Sequence, residues 1–158
     1  MSVEFEDYSI KVTEALNDGA IIGLYLAAAE IESEAVRTSP VGEGQLKEHW
    51  EHIVDESNFE ATIGNPLENA IWNEYGTGAW AEGPKPGRSD PWYVPVEGYA
   101  GKKRPTYNGK VVIVYGKEGK KYYKTNGKKP QRTLEKAFTR KRKVAERLIK
   151  RAIQEAME

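Results

Sequence analysis

Apolar positions recur at helical spacing towards both ends of the chain and alternate like strands in between. Over residues 6–38, Leu24, Ala28, Ile31 and Ala35 fall at i, i+4, i+7 and i+11, one face of a helix. Glu30, Glu32 and Glu34 lie largely off that stripe. Asn17-Asp18-Gly19 marks a point where this helix could break. Gly19, Gly23 and Ala27 make a line of small residues along which another element could come close. Pro40 ends the helix, because the residue before a proline avoids helical geometry.

Gly42-Glu43-Gly44 reads as a turn, and residues 45–55 as a strand, since Trp50 and Ile53 favour one. Phe59 to Gly64 reads as a second strand, joined by a hairpin turn at Ser57-Asn58. Leu67 to Tyr75 reads as a short helix with Ala70, Ile71 and Tyr75 at helical spacing, closed by Gly76. Val111 to Tyr115 is a strongly apolar strand that turns at Gly116–Gly119 and returns as Lys120–Lys124. Asn126-Gly127 is another turn. Pro130 suits the first turn of a last helix that runs to about Ala156. Its apolar face is Leu134, Phe138, Ala145, Leu148, Ala152 and Ala156, with Ala137, Val144, Ile149 and Ile153 beside it.

This order predicts an α+β fold in a single domain over residues 1–158. A mainly antiparallel sheet of about four strands is covered by two long helices, N- and C-terminal. Residues 76–109 form a long loop rich in Gly and Pro that carries Trp80, Trp92, Tyr93 and Tyr99. Structureless loops of that length are uncommon in compact domains. Its large aromatics argue against simple disorder, so the expectation is a loop ordered by neighbouring subunits.

Composition narrows the chemistry. With 0 cysteines in 158 residues, disulfides, thiol nucleophiles and cysteine zinc sites are excluded. The N-terminal residues lack the basic-then-apolar order of a secretory signal. The longest apolar run, Ala20 to Ala29, is too short to span a bilayer. Net charge is zero but segregated. Residues 1–60 hold 14 Asp/Glu against 3 Lys/Arg, a net of −11, and residues 102–158 hold 5 against 19, a net of +14. Two readings follow: the segments pair within one chain, or the acidic part of one subunit meets the basic part of the next.

No set of residues composes a catalytic or metal site. Both histidines lie in His49-Trp50-Glu51-His52, where an odd spacing on a strand sends them to opposite faces. Gly76-Thr77-Gly78-Ala79-Trp80-Ala81 matches the letter of a dinucleotide fingerprint. A helix precedes it, however, and Pro84 and Pro86 follow where a helix should start. Glu74, beside Tyr75, reads as a hydrogen-bond acceptor at a helix end rather than a catalytic acid. No cofactor is expected. Arg140-Lys141-Arg142-Lys143 and the Lys120–Lys124 strand mix basic residues with aromatics. That leaves a nucleic-acid-binding module, carried by the 110–124 hairpin and the C-terminal helix, as the alternative function.

Several segments in order carry a resemblance. Ser39-Pro40-Val41-Gly42-Glu43-Gly44-Gln45-Leu46 follows the long helix. Ala61-Thr62-Ile63-Gly64 and Ala70-Ile71-Trp72-Asn73-Glu74-Tyr75-Gly76-Thr77 come next, then Pro91-Trp92-Tyr93, Thr125-Asn126-Gly127, Pro130 and Leu134 to Ala137. The series resembles the minor tail component, or neck and tail-completion, family of long-tailed bacteriophages. Gly42-Glu43 stands where that family usually has Asp-Thr. The resemblance implies a non-enzymatic virion protein, assembled in the host bacterial cytoplasm, that forms a homo-oligomeric ring at the head–tail junction as a neck adaptor or tail terminator. Its implied neighbours are head-completion and tail-tube proteins. DNA would pass through the ring without sequence-specific contact, and no membrane is involved. The expected subunit interface is Glu74, Tyr75, Gly76, Thr77, Trp80, Trp92 and Tyr93, with a basic face at Arg140, Lys141, Arg142 and Lys143.

Overall fold

The computed structural model describes residues 8–40, 44–83, 87–101 and 103–158. The Gly42-Glu43 part of the expected turn, Pro84, Pro86 and the first residues of the expected N-terminal helix lie outside them. Helix α1 spans Ser9–Thr38 and α2 Gly44–Glu48; strands β1 (Glu51–Asp55) and β2 (Glu60–Gly64) follow, then α3 (Glu68–Tyr75). Strands β3 (Trp92–Pro95), β4 (Val112–Tyr115) and β5 (Lys121–Thr125) lead to α4, Thr133–Ala156. The class is α+β, as expected, with its antiparallel strands divided between a two-stranded sheet, β1-β2, and a three-stranded sheet ordered β3-β5-β4. The chain forms two compact units: one holds residues up to Glu34, Glu51–Gly64 and Ala137–Glu158, the other Ala35–Trp50 and Asn65–Lys136.

In the first unit, α1 and α4 run antiparallel along a seam of small residues. A Cβ added at Gly19 would lie 2.8 Å from the Ile153 Cα, and one at Gly23 2.7 Å from the Ile149 Cα. The helix does not break at Asn17–Gly19; Gly19 is kept for close approach. Ala27, Ala28, Ile31, Ala145 and Ala152 are buried along these helices. Glu30 accepts from the Lys141 ammonium at 2.6 Å, and Glu34 from the Arg140 guanidinium at 3.1 Å. The β1–β2 hairpin pairs Ile53 with Thr62 and Asp55 with Glu60. Its turn is tied by Asp55, whose carboxylate accepts from the Ser57 hydroxyl at 2.6 Å, the Ser57 and Asn58 amides at 3.0 and 3.1 Å, and the Asn58 side chain at 2.8 Å.

In the second unit, residues 44–48 are helical, not the start of a strand. Gln45, Leu46, Lys47 and Glu48 are good helix formers, and Leu46 is buried. The end of α1 is tied to Trp50, whose indole N–H donates to the Ser39 hydroxyl at 2.7 Å; that hydroxyl donates to the Ala35 carbonyl at 2.8 Å. Among its described residues the expected 76–109 loop contains a 3-10 turn at Gly78–Trp80 and the strand β3, paired Trp92 to Thr125 and Val94 to Tyr123. Pro91 and Pro95 are compatible with an edge strand, where a missing N–H costs no ladder bond. Pro130 precedes α4 by three residues instead of occupying its first turn. Phe138 is exposed, so the buried face of α4 runs through Ala137, Ala145 and Ala152.

Candidate assembly surface

The residue that precedes α4 is Arg132, whose carbonyl accepts from the Lys136 amide at 3.0 Å. That position usually falls to Ser, Thr, Asp or Asn, whose side-chain oxygen satisfies the first helix amides. A guanidinium has no acceptor to offer. Glu74 supplies it from α3. Its Oε2 accepts from the Leu134 amide and its Oε1 from the Glu135 amide, both at 3.0 Å. A negative charge there also suits the positive end of the helix dipole. Arg132 is held in the left-handed region (φ 51). Its amide donates to the Glu74 carbonyl at 3.3 Å, and its guanidinium donates to Glu82 and Glu135. The hydrogen bond it donates to Glu82, then the charge of Glu135, raise its pKa above the ordinary arginine value.

The neighbours of Glu74 are stitched to the same stretch. Asn73 is buried; its amide group donates to the Asn69 carbonyl at 2.9 Å and accepts from the Lys128 ammonium, while its backbone carbonyl accepts from the Gln131 amide at 2.7 Å. The Thr77 amide donates to the Lys128 carbonyl at 2.9 Å, and the Thr77 hydroxyl accepts from the Lys128 amide at 3.0 Å. Gly76 between them has φ 77 and ψ −178, a region essentially reserved for glycine. A Cβ there would lie 2.7 Å from the Lys128 carbonyl oxygen. Beyond the turn, Asn126 donates its side-chain amide to Asn108 at 2.9 Å, and its carbonyl accepts from the Ala79 amide at 2.9 Å. Two motifs some fifty residues apart in sequence thus form one hydrogen-bonded knot.

The knot leaves α3 inside out. Its polar Asn73 and Glu74 face the protein, and Ile71, Trp72 and Tyr75 are left 62%, 48% and 45% exposed. Helical spacing places these three on one face. Ile71 and Tyr75 are therefore surface residues. The periodicity is real, but the hydrogen-bonding side of the helix takes the interior. Of the residues expected at an interface, Tyr75, Trp80 and Tyr93 are exposed, Trp92 is half-buried, and Glu74, Gly76 and Thr77 build the knot beneath. The sequence reading did not place Ile71 and Trp72 at the interface; the signal was the adjacent polar pair Asn73-Glu74, which competes for the inner face. Trp80 carries the Lys129 ammonium 4.8 Å from its ring centroid, and Trp92 the Arg88 guanidinium at 5.6 Å.

The basic run is largely paired. Arg140 and Lys141 meet Glu34 and Glu30 of α1, and Arg142 meets Glu146 one turn on at 3.0 Å. The within-chain reading of the segregated charge therefore holds for Arg140 and Lys141. His49 lies beyond α2, its Nδ1 2.7 Å from the Gln45 carbonyl, and His52 is on β1 against Glu32. Among the described residues no group of three or more His, Cys, Asp or Glu could hold a metal ion. No helix among them is long and apolar enough to cross a membrane.

No family model, curated protein or solved structure matches the chain. The functional reading therefore rests on the geometry above and on the ordered motifs.

Proposed function

We propose that this chain is a structural, non-catalytic protein of a tailed bacteriophage, a ring-forming adaptor at the head–tail junction that completes the neck or terminates the tail. The observation that carries the proposal is the inside-out helix α3. An apolar face of Ile71, Trp72 and Tyr75 is held rigidly outward by bonds that fix its other side. Aromatic side chains exposed together mark protein contact surfaces more often than stray surface residues. The knot joins two of the motif segments that carry the phage resemblance, so that resemblance and the surface support the same reading. A nucleic-acid-binding role is less favoured, because three of the four basic residues in the helical run already face carboxylates.

The test is quantitative mass spectrometry of purified phage particles, tailless heads and free tails from the virus that encodes this chain. Low, fixed copy number in whole particles is the expected result, and the fraction that retains the protein locates its side of the junction. Absence from every particle fraction overturns the proposal.

A further inference from the structure

The two sheets leave strand edges that differ sharply in chemistry. In the three-stranded sheet β3 and β4 are the outer strands. The β3 edge is blunted by Pro91 and Pro95, a usual defence against strand addition. Nothing guards β4: Val111 to Tyr115 is an unbroken apolar run with no proline or charge, and Ile113 and Tyr115 are exposed. The chain around it is basic, with Lys110, Lys117, Lys120, Lys121 and Lys124 against Glu118 alone.

The β1–β2 hairpin is the opposite. Both its strands are edges, and a two-stranded ribbon gains stability from a third strand. Residues 51–64 hold Glu51, Asp55, Glu56 and Glu60 and no Lys or Arg. Asp55 and Glu60 are direct cross-strand partners, and like charges placed opposite each other repel. Ile53, between Glu51 and Asp55 on the same parity, is 67% exposed. An apolar centre flanked by carboxylates on β1 matches an apolar centre flanked by lysines on β4.

We infer that β1 of one copy adds antiparallel to the β4 edge of the next copy, joining the acidic hairpin to the basic sheet. This contact uses two different surfaces of the same chain, so it is head-to-tail and propagates to a closed ring or an open filament. The lysines that flank β4 attract the carboxylates of the hairpin, so the contact weakens as salt rises. The inference rests on the self-assembling part of the function proposed above, and it replaces no role of the α3 surface.

The absence of native cysteine gives a clean experiment. Ile53→Cys and Ile113→Cys chains, both at exposed positions, are mixed and treated with a short thiol–thiol cross-linker. The expected product is a dimer that forms efficiently from the mixture and poorly from either variant alone. A Lys110→Glu/Lys117→Glu chain is expected to self-associate at least tenfold more weakly by sedimentation, and mixing it with a Glu51→Lys chain restores association. Circular dichroism on each variant identifies any that fail to fold, and the cross-link, made without charge changes, then decides alone. A chain that stays monomeric at millimolar concentration, or a mixture that gives no more cross-linked dimer than either variant alone, overturns the inference. If particles contain the protein but residues 53 and 113 never cross-link within them, the strand contact is wrong and the virion role survives. If the cross-link forms in solution and particles lack the protein, the reverse holds.

Discussion

At the scale of single residues, two carboxylates act as caps for parts of the backbone. Glu74 satisfies two amides of a helix whose own preceding residue, Arg132, cannot. Removing a helix cap costs about 1 kcal/mol, and up to about 2 where a charge is also lost from the dipole. Glu74→Ala should lower the midpoint of thermal unfolding by a few degrees. Glu74→Gln should fall between it and wild type, because its amide oxygen still accepts one bond; differential scanning calorimetry of the three proteins checks both. Asp55 is the second case. Its carboxyl is lowered from an ordinary 3.8 to about 2, first by the Ser57 hydroxyl and then by Asn58. Because the folded value is the depressed one, its contribution is fully present above 3.8 and is lost as pH falls towards 2. Asp55→Asn should therefore be less stable than wild type at neutral pH, and the gap should narrow across that acidic window. A gap that stays constant from neutral pH down to pH 2 would contradict the assignment. How Asp55 is used was partly legible, since Ser57-Asn58 reads as a turn. The partner of Glu74 was not, since the amides it caps lie sixty residues away.

The elements show where local preference yields to packing. Replacing a mid-helix glycine by alanine normally gains about 1 kcal/mol. At Gly23 the new Cβ would meet the Ile149 backbone at 2.7 Å, and an overpacked contact costs about 1–3 kcal/mol. Backbone cannot rotate aside as a side chain can, so the second effect wins. Gly23→Ala should lower the urea midpoint with the m-value unchanged. The line of small residues was visible in the sequence because small residues at helical spacing have few other uses in a helix interior. Helix α3 went the other way: its apolar spacing was legible, and the face it buries was not. Trp72→Ala should change folding stability by no more than about 0.5 kcal/mol, as for exposed positions without special contacts. The same variant should lose incorporation into particles, measured against wild type in a complementation assay. Unchanged incorporation would remove α3 from the assembly surface.

For the whole molecule, the segregated charge has two fates. Glu30 and Glu34 with Lys141 and Arg140 pair within the first unit. The acidic β1–β2 hairpin and the lysines around β4 lie on separate sheets, where charge is available for contacts between copies. Duplex and single-stranded DNA should bind this protein weakly. Affinity should fall only modestly between 50 and 200 mM salt, since three of the four cations in the 140–143 run already face carboxylates. Tight binding that falls by orders of magnitude over that range would bring the nucleic-acid-binding reading forward.

The linear order of residues determined the element types at both ends, the two hairpins, the lack of any cysteine chemistry and the asymmetry of charge. These follow from local periodicity, turn-forming residues and composition, which need no knowledge of distant contacts. Tertiary structure alone decided that Trp92–Pro95 pairs with β5 and that the strands divide into two sheets. It also decided that Asn73 and Glu74 take the inner side of α3. Each of those outcomes depends on hydrogen bonds or packing between segments far apart in the chain. A carboxylate that meets two unsatisfied amides outweighs the modest gain from burying one more face of a short helix.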